Sequence, residues 1–319
     1  MNSVRPLPPE LRDRCFTVHD AQQLGLSVSR LRYRDLAMPS RALRHAEAVS
    51  PAPLTMARAL LGLHPDGIVS HHTAALWWGL PLPARLTADT RVHLSVAGSN
   101  TSGMRIRRRG VVAHRTRFGP DDILLRGSWA VTSVERTFVD LAPHLSLDEL
   151  VELGDAIVCV HVGDGRPARQ PLSTLERLAD RCAQPARGVR LARTALDLVR
   201  VGSDSPPETR LRLALVRAGL PEPELCVVVP VDPWSREVLP DLAYVVQRLS
   251  IQYDGAHHAD PRQHRLDIER ADLTTRAGWV ELRISGDDLR IVVEHRLGRV
   301  PRAVAKVHDA LRVRELVTT

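Results

Sequence analysis

The sequence predicts a multidomain protein of mixed α+β and α/β class. Two observations predict it: apolar residues recur at helical spacing in residues 16–36 and 147–199, and strand-like alternation occurs near residues 92–96 and 239–253. The length of 319 residues suits two or three domains. Breaker-rich joints place the boundaries, giving a helix-turn-helix domain at 1–50, a middle α/β domain with a basic hairpin and helices at 51–202, an α/β domain with a mixed sheet at 203–297, and a final helix at 298–319.

Composition narrows the class of partner. The net charge is +7, and residues 1–150 carry 19 arginines against 13 acids, so a net of +6 lies in the first half. A basic excess of this kind indicates a polyanionic partner such as double-stranded DNA. The sequence has neither a signal-peptide pattern nor an apolar run long enough to span a bilayer, and its four scattered cysteines suit a reducing compartment, so we expect a cytoplasmic location.

The first domain has the pattern of two helices joined by a tight turn. Thr17 and Asp20 stand in capping-box positions, Gly25 supplies the turn, and Ser27 caps the second helix. In a helix-turn-helix the second helix enters the major groove of DNA. The residues predicted to face outward there and to contact DNA are Ser29, Arg30, Arg32, Tyr33 and Arg34. The alternative is a helical hairpin with an arginine-coated solvent face.

Two further features lie in the middle domain. His71 and His72 precede a Trp pair at helical spacing, which favours a structural helix over a ligand site. Between two predicted strands at 92–96 and 111–115 lies the densest charge run, which adds DNA-binding candidates: Arg105, Arg107, Arg108 and Arg109. Like charges so close together favour a polyanionic partner, and a solvated hairpin tip is the alternative.

The third domain begins with a helix and continues with strands that carry acids. Ser205 and Pro206 start a helix that has Glu208 at its third position. Asp241 begins one predicted strand and Asp254 ends the next. If the strands pair antiparallel, the two acids could lie close together, and such a pair favours a bound divalent cation. Solvated strand-end residues are the alternative.

A helix ending at Gly278 and a strand at 280–284 follow, and with them the domain resembles a known family. Glu208, Pro240-Asp241, the turn after Tyr253 and the segment from Asp267 to Trp279 look like the very-short-patch-repair (Vsr) endonuclease relatives within the restriction-endonuclease-like PD-(D/E)xK fold. The resemblance implies that Glu208, Asp241 and Asp254 hold Mg²⁺, which activates water against a phosphodiester.

The motif of that family is incomplete in this chain. Gln252 stands where the motif has an acid, and Asp254 stands where it has a lysine. The only lysine of the chain is Lys306, far along the sequence. Relatives of the Vsr type use histidine, so His257 and His258 become the candidate proton carriers, and Gln252 stays a candidate for the site.

The first half resembles a second family. Residues 16–36, 70–81 and 131–142 look like actinobacterial proteins with an AbiEi-type antitoxin N-terminus, in which a winged helix-turn-helix precedes a middle domain. The resemblance implies promoter binding beside a cognate toxin. The wing segment, at residues 37–45, is short here.

The leading hypothesis is therefore a DNA-binding transcriptional regulator or antitoxin-like protein with an endonuclease-like domain. The alternative is an active Mg²⁺-dependent DNA endonuclease, and a nuclease fold that only binds a protein partner is a third possibility. The sequence does not indicate the oligomeric state.

Overall fold

A computed structural model describes residues 6–46, 51–98, 106–160, 170–231, 237–254 and 261–318. The chain forms two compact units: unit 1 comprises Met1–His144 and Arg177–Ala192, and unit 2 comprises Leu145–Glu176 and Arg193–Thr319. The described residues contain thirteen α-helices and several small sheets, two of them with both parallel and antiparallel pairs. The predicted mixed α+β class is confirmed.

Unit 1 begins with a small helix-and-sheet substructure. Its elements are α1 (Pro9–Arg12), β1 (Phe16–Thr17), α2 (Val18–Gln23), β2 (Leu36–Ala37) and β3 (Leu43–Ala46), with antiparallel strands in the order β1-β3-β2. The predicted capping box is present, because the Thr17 hydroxyl accepts a 2.9 Å hydrogen bond from the Asp20 amide and the Asp20 carboxylate accepts one from the Thr17 amide. Leu11, Phe16 and Leu31 are fully buried beneath these elements.

The second helix of the predicted pair is only a single 3₁₀ turn, Arg30–Arg32. The chain leaves helical geometry at Tyr33, where ψ is 148°. The Arg30 guanidinium donates two hydrogen bonds, of 2.8 and 2.7 Å, to the carboxylate of Asp35. This bridge and the strand that starts at Leu36 replace the further helical turns that the spacing predicted.

A five-stranded sheet forms the centre of unit 1. The elements of this part are, in chain order, α3 (Pro53–Leu63), β4 (Ile68–Val69), α4 (His71–Trp78), α5 (Ala84–Thr87), β5 (Val92–Ala97), β6 (Val111–Thr116), β7 (Ile123–Arg126), β8 (Trp129–Thr132) and α6 (Val134–Leu141). A 3₁₀ turn at Ala142–His144 follows α6. The strand order is β6-β5-β4-β8-β7, with β5–β6 and β4–β8 parallel. Val92, Leu94 and Val131 belong to its core.

The prediction of a basic hairpin near Arg105–Arg109 is wrong. Strands β5 and β6 pair in parallel, with Val92 opposite Val111, so the chain crosses over between them and does not turn back. Ile106, in the middle of the arginine run, is 4% exposed and belongs to the core of unit 1. Burial of this one apolar side chain anchors the connection to the sheet.

Four helices follow in the order α7 (Leu147–Val158), α8 (Leu175–Ala183), α9 (Val189–Leu196) and α10 (Pro206–Arg217). All four were predicted from helical spacing, and each begins or ends within a few residues of the expected position. Helix α10 follows Ser205 in extended geometry and has proline at its first positions, where a missing amide costs no hydrogen bond.

Residues 229–318 of unit 2 are built around a three-stranded mixed sheet. The elements are β9 (Val229–Pro230), β10 (Glu237–Val238), β11 (Leu242–Tyr244), β12 (Leu249–Asp254), α11 (Pro261–Arg276), β13 (Val280–Ser285), α12 (Gly286–Arg290), β14 (Val292–His295), β15 (Gly298–Pro301) and α13 (Arg302–Thr318). Strand β11 pairs antiparallel with β12, and β12 pairs parallel with β13 across the α11 connection. The predicted order of helix, strands, helix and strand is present.

The final helix belongs to the same core as this sheet. Val304, Val307 and Leu311 of α13 pack in one cluster with Leu211 of α10 and Ile251 of β12. The boundary expected at residue 297 falls in the turn of the β14–β15 hairpin, since His295 pairs with Gly298. Residues 298–318 are thus continuous with unit 2. Among the described residues, no helix has the length and apolar content needed to cross a membrane.

Candidate functional site

Glu208 is held at the start of α10 by its own capping segment. The carboxylate accepts a 2.8 Å hydrogen bond from the Asp204 amide and a 2.6 Å hydrogen bond from the Ser205 hydroxyl. The side chain is buried, at 5% exposure. The Ser205 hydroxyl therefore orients the Glu208 carboxylate, and it makes no capping hydrogen bond to a backbone amide of α10.

Asp241 is the acid that the fold brings to Glu208. It immediately precedes β11, and its carboxylate accepts a 2.7 Å hydrogen bond from the amide of Tyr253 on β12. Burial, and then repulsion from Asp241, raise the pKa of Glu208 to about 8. A carboxyl pair of this kind binds a proton or a cation more readily than an isolated acid.

Gln252 lies on β12, one residue before Tyr253. Its side chain is buried, at 4% exposure, and its amide nitrogen donates a 3.3 Å hydrogen bond to the Leu239 carbonyl. The Asp241 carboxylate contacts the backbone of the next residue, Tyr253. The position where the family motif has an acid is therefore a buried neutral amide that bonds to the backbone.

Asp254, the third predicted ligand, is the last residue of β12. Among the described residues, Glu208, Asp241 and Asp254 form no group whose ligand atoms all lie within 4.8 Å of one another. The Asp254 carboxylate lies 3.9 Å from the Arg283 guanidinium on β13. The guanidinium attracts this carboxylate, whereas Glu208 and Asp241, when charged, would repel it. Asp254 lines instead a cavity of about 470 Å³ with five other residues: Arg283, Ser285, Asp288, Arg302 and Lys306.

Apart from Asp254, sequence reasoning missed the residues of this cavity, and Lys306 is the most informative of them. Its ammonium group donates a 3.0 Å hydrogen bond to Asp288, which Arg302 also contacts at 2.5 Å. Burial favours a higher pKa for Asp288, but hydrogen bonds from Ser285, Lys306 and Arg302 outweigh it and lower the pKa below its usual range. The signal in the sequence was the four-residue spacing of Arg302 and Lys306, which puts both cations on one face of α13.

The described residues leave the two histidine candidates untested. His257 and His258 lie outside the part of the chain that the structure describes. They remain the predicted proton carriers of the site.

Arg30, a predicted DNA contact in unit 1, is unsuited to that role. Its side chain is only 7% exposed and is bonded to Asp35. Ser29, Arg32, Tyr33 and Arg34 are exposed as expected. Arg30 is inward because the 3₁₀ turn rotates it toward Asp35.

The arginines predicted to bind DNA at residues 105–109 also differ from one another in exposure. Arg108 donates 2.6 Å hydrogen bonds to the His64 ring and to the Arg41 carbonyl, so it has a structural role. Arg107 and Arg109 are exposed, and Arg105 lies outside the described residues.

Comparison of the chain with protein-family models and with curated proteins finds no match. The residues themselves are thus the basis for the functional proposal that follows.

Proposed function

We propose that this chain binds double-stranded DNA and that unit 2 hydrolyses phosphodiester bonds with a divalent metal ion. The observation that carries the proposal is the pair of buried Glu208 and partly buried Asp241: burial, and then repulsion from Asp241, raise the pKa of Glu208 to about 8. Repulsion of this kind is relieved when a cation binds between the two carboxylates.

The donor set fits Mg²⁺. Carboxylate oxygens are the ligands that this hard cation prefers, and both acids are already oriented by hydrogen bonds from Asp204, Ser205 and Tyr253. Glu208 and Asp241 would hold the ion, with the side-chain oxygen of Gln252 as a weaker neighbour. When bound, such an ion supplies charge neutralisation and an activated water for attack on phosphorus.

The cavity beside Asp254 fits the phosphate of the substrate. Three cations, Arg283, Arg302 and Lys306, line it against two acids, which leaves a net positive charge. Arginine and lysine in such a position bind phosphate oxygens and stabilise charge that develops on them. Lys306 thus supplies the positive charge that the strand motif lacks.

The arrangement of elements agrees with the restriction-endonuclease-like resemblance. Helix α10 carries the first acid, the second immediately precedes β11 of the antiparallel pair β11–β12, and α11 connects β12 to the parallel strand β13. Local alternation in β12 puts Gln252 and Asp254 on the face opposite Ile251 and Tyr253, which pack on the core.

The test is cleavage of supercoiled plasmid by the full chain with Mg²⁺ or Mn²⁺. We expect nicking that Asp241→Asn and Glu208→Gln reduce by at least a hundredfold, because each removes a metal ligand. The matched controls are Asp287→Asn and Glu294→Gln, which alter exposed acids of the same unit and should cleave like the wild type. Nicking that persists at full rate in Asp241→Asn would contradict the proposal.

A second candidate function is regulation without cleavage. It is favoured by the neutral Gln252 in the acid position and by the exposed residues Arg32, Tyr33 and Arg34 beside the β2–β3 hairpin. In this case the chain represses a promoter as an AbiEi-like antitoxin does, with a cognate toxin as partner. Duplex binding in a gel-shift assay, together with no nicking by the wild type, would favour this candidate. In either case we propose action on DNA in the cytoplasm, where the four cysteine thiols, none of which forms a disulfide, would stay reduced.

A further inference from the structure

Five histidines gather on one side of the five-stranded sheet in unit 1. Alternation along β5 puts Leu94 in the core and His93 on the opposite face, and the parallel register sets His114 of β6 beside Ser95 on that same face. His71 and His72, at the start of α4, contact His93 there, and His144, after α6, contacts His71.

The rings are in close contact. The rings of His71 and His114 stack with centroids 3.6 Å apart, and the His114 Nε2 atom lies 2.9 Å from the Nδ1 atom of His93. His71, His93 and His114 each offer one nitrogen such that all three lie within 4.8 Å of one another. In a tetrahedral zinc site the ligand atoms are about 3.3 Å apart, so small ring rotations suffice to close the set.

The hydrogen bonding around these rings favours the binding of a ligand. The Nδ1 atom of His71 is bonded to the Ser70 hydroxyl at 3.0 Å, and Ser95 donates to that hydroxyl at 2.7 Å, an outer pair that orients the ring. The Nε2 atom of His93 is buried without a hydrogen-bond partner among the described residues. His71 has a φ of 52°, a left-handed conformation that is uncommon outside glycine but that histidine adopts more often than most residues.

The protonation state also suits a metal. Burial, and then the neighbouring rings of His72 and His114, lower the pKa of His93 to about 2. Burial, and then His144, lower the pKa of His114 to about 4. Both shifts favour the uncharged imidazole, which is the form that binds metals.

We propose that His71, His93 and His114 bind a transition-metal ion of the Zn²⁺ class. Imidazole nitrogen suits this class, whereas Mg²⁺ prefers oxygen, so the site is chemically distinct from the acid pair of unit 2. Three protein ligands leave one position for water or a fourth ligand. The ion would tie helix α4 to strands β5 and β6.

The experiment is calorimetric titration of the tag-free full chain with Zn²⁺ in the presence of excess Mg²⁺. We expect one equivalent to bind, with the affinity reduced at least tenfold in His114→Gln and in His93→Gln. His295→Gln is the matched control, because His295 belongs to a separate group with His308 and Asp309. The acid variant Asp241→Asn should bind Zn²⁺ like the wild type, which keeps this site separate from the proposed nuclease site.

A second measurement uses the unaltered protein and guards against misfolded variants. Zn²⁺ should slow the carbethoxylation of His71 and His114 by diethyl pyrocarbonate, measured by peptide mass spectrometry, while His19 reacts at an unchanged rate. Co²⁺ in place of Zn²⁺ should produce the visible absorption bands of a tetrahedral site. No Zn²⁺ binding, binding that His295→Gln abolishes, or equal reactivity of His71 and His114 with and without Zn²⁺ would overturn the proposal.

Discussion

At the scale of single residues, Glu208 has the most perturbed ionisation at the proposed nuclease site. Burial comes first among the causes and repulsion from Asp241 second, and together they raise the pKa from 4.5 to about 8. An acid whose pKa is raised by folding contributes stability that is fully present below its unfolded pKa and is lost as the pH rises through its folded pKa.

We therefore predict that Glu208→Gln changes the pH dependence of stability. Between 4.5 and about 8 the free energy of unfolding of the wild type should fall relative to that of the variant, by on the order of 2 to 4 kcal/mol. Urea unfolding at both ends of this range measures the difference. Mg²⁺ should restore the lost stability of the wild type at the upper end and have no such effect on the variant; parallel pH profiles of the two proteins would refute the prediction.

At the scale of elements, an ion pair buried between α7 and α10 organises the helical part of unit 2. The Arg212 guanidinium, 1% exposed, lies 2.9 Å from the Asp155 carboxylate and donates to the Leu198 carbonyl at 2.9 Å. Asp155 also accepts a 2.7 Å hydrogen bond from the Thr209 hydroxyl. Burial raises the pKa of Asp155, and Arg212 opposes that shift, so the acid depends on its partner.

Loss of that partner should be costly. We predict that Arg212→Ala lowers the free energy of unfolding by about 3 to 5 kcal/mol, because it leaves Asp155 buried without its counter-charge. The matched control on the same helix is Arg210→Ala: Arg210 is 54% exposed where it contacts Glu152, and its loss should cost about 1 kcal/mol or less. Equal losses in the two variants, measured by urea unfolding, would show that burial is not the deciding factor.

At the scale of the whole molecule, the net positive charge is the property that bears on the proposed binding of DNA. The chain carries a net charge of +7, mostly in residues 1–150. Binding of a basic protein to duplex DNA releases condensed cations, so the affinity falls as the salt concentration rises.

We predict that the logarithm of the dissociation constant for duplex DNA rises linearly with the logarithm of the salt concentration. The double variant Arg32→Ala/Arg34→Ala should lower the slope by about two, because two phosphates are then no longer neutralised by the protein. Arg290→Ala/Arg312→Ala removes the same charge from exposed positions of unit 2 and should leave the slope closer to that of the wild type. Fluorescence anisotropy over a series of salt concentrations measures both slopes. Identical slopes for the two double variants would mean that binding depends on total charge and not on the positions of Arg32 and Arg34.

Sequence patterns by themselves determined most elements of this protein: the capping box at Thr17, helices α7 to α10, and the order of α10, β11, β12, α11 and β13. These features depend on residues near one another in the chain, and local spacing and turn chemistry are enough to specify them. The antiparallel pairing of β11 with β12 was also predicted from alternation, whereas the expectation that Glu208 and Asp241 share a site came from the family resemblance.

Only the tertiary structure decided the direction of individual side chains and the contacts between distant segments. It turned Arg30 inward to Asp35, made β5 and β6 parallel, and brought Lys306 to the cavity of Asp254. It also assembled histidines that lie far apart in the sequence, such as His71 and His114, on one face of a sheet. Contacts of this kind arise from packing of whole elements, and local periodicity contains no information about which distant partner an outward or inward residue will meet.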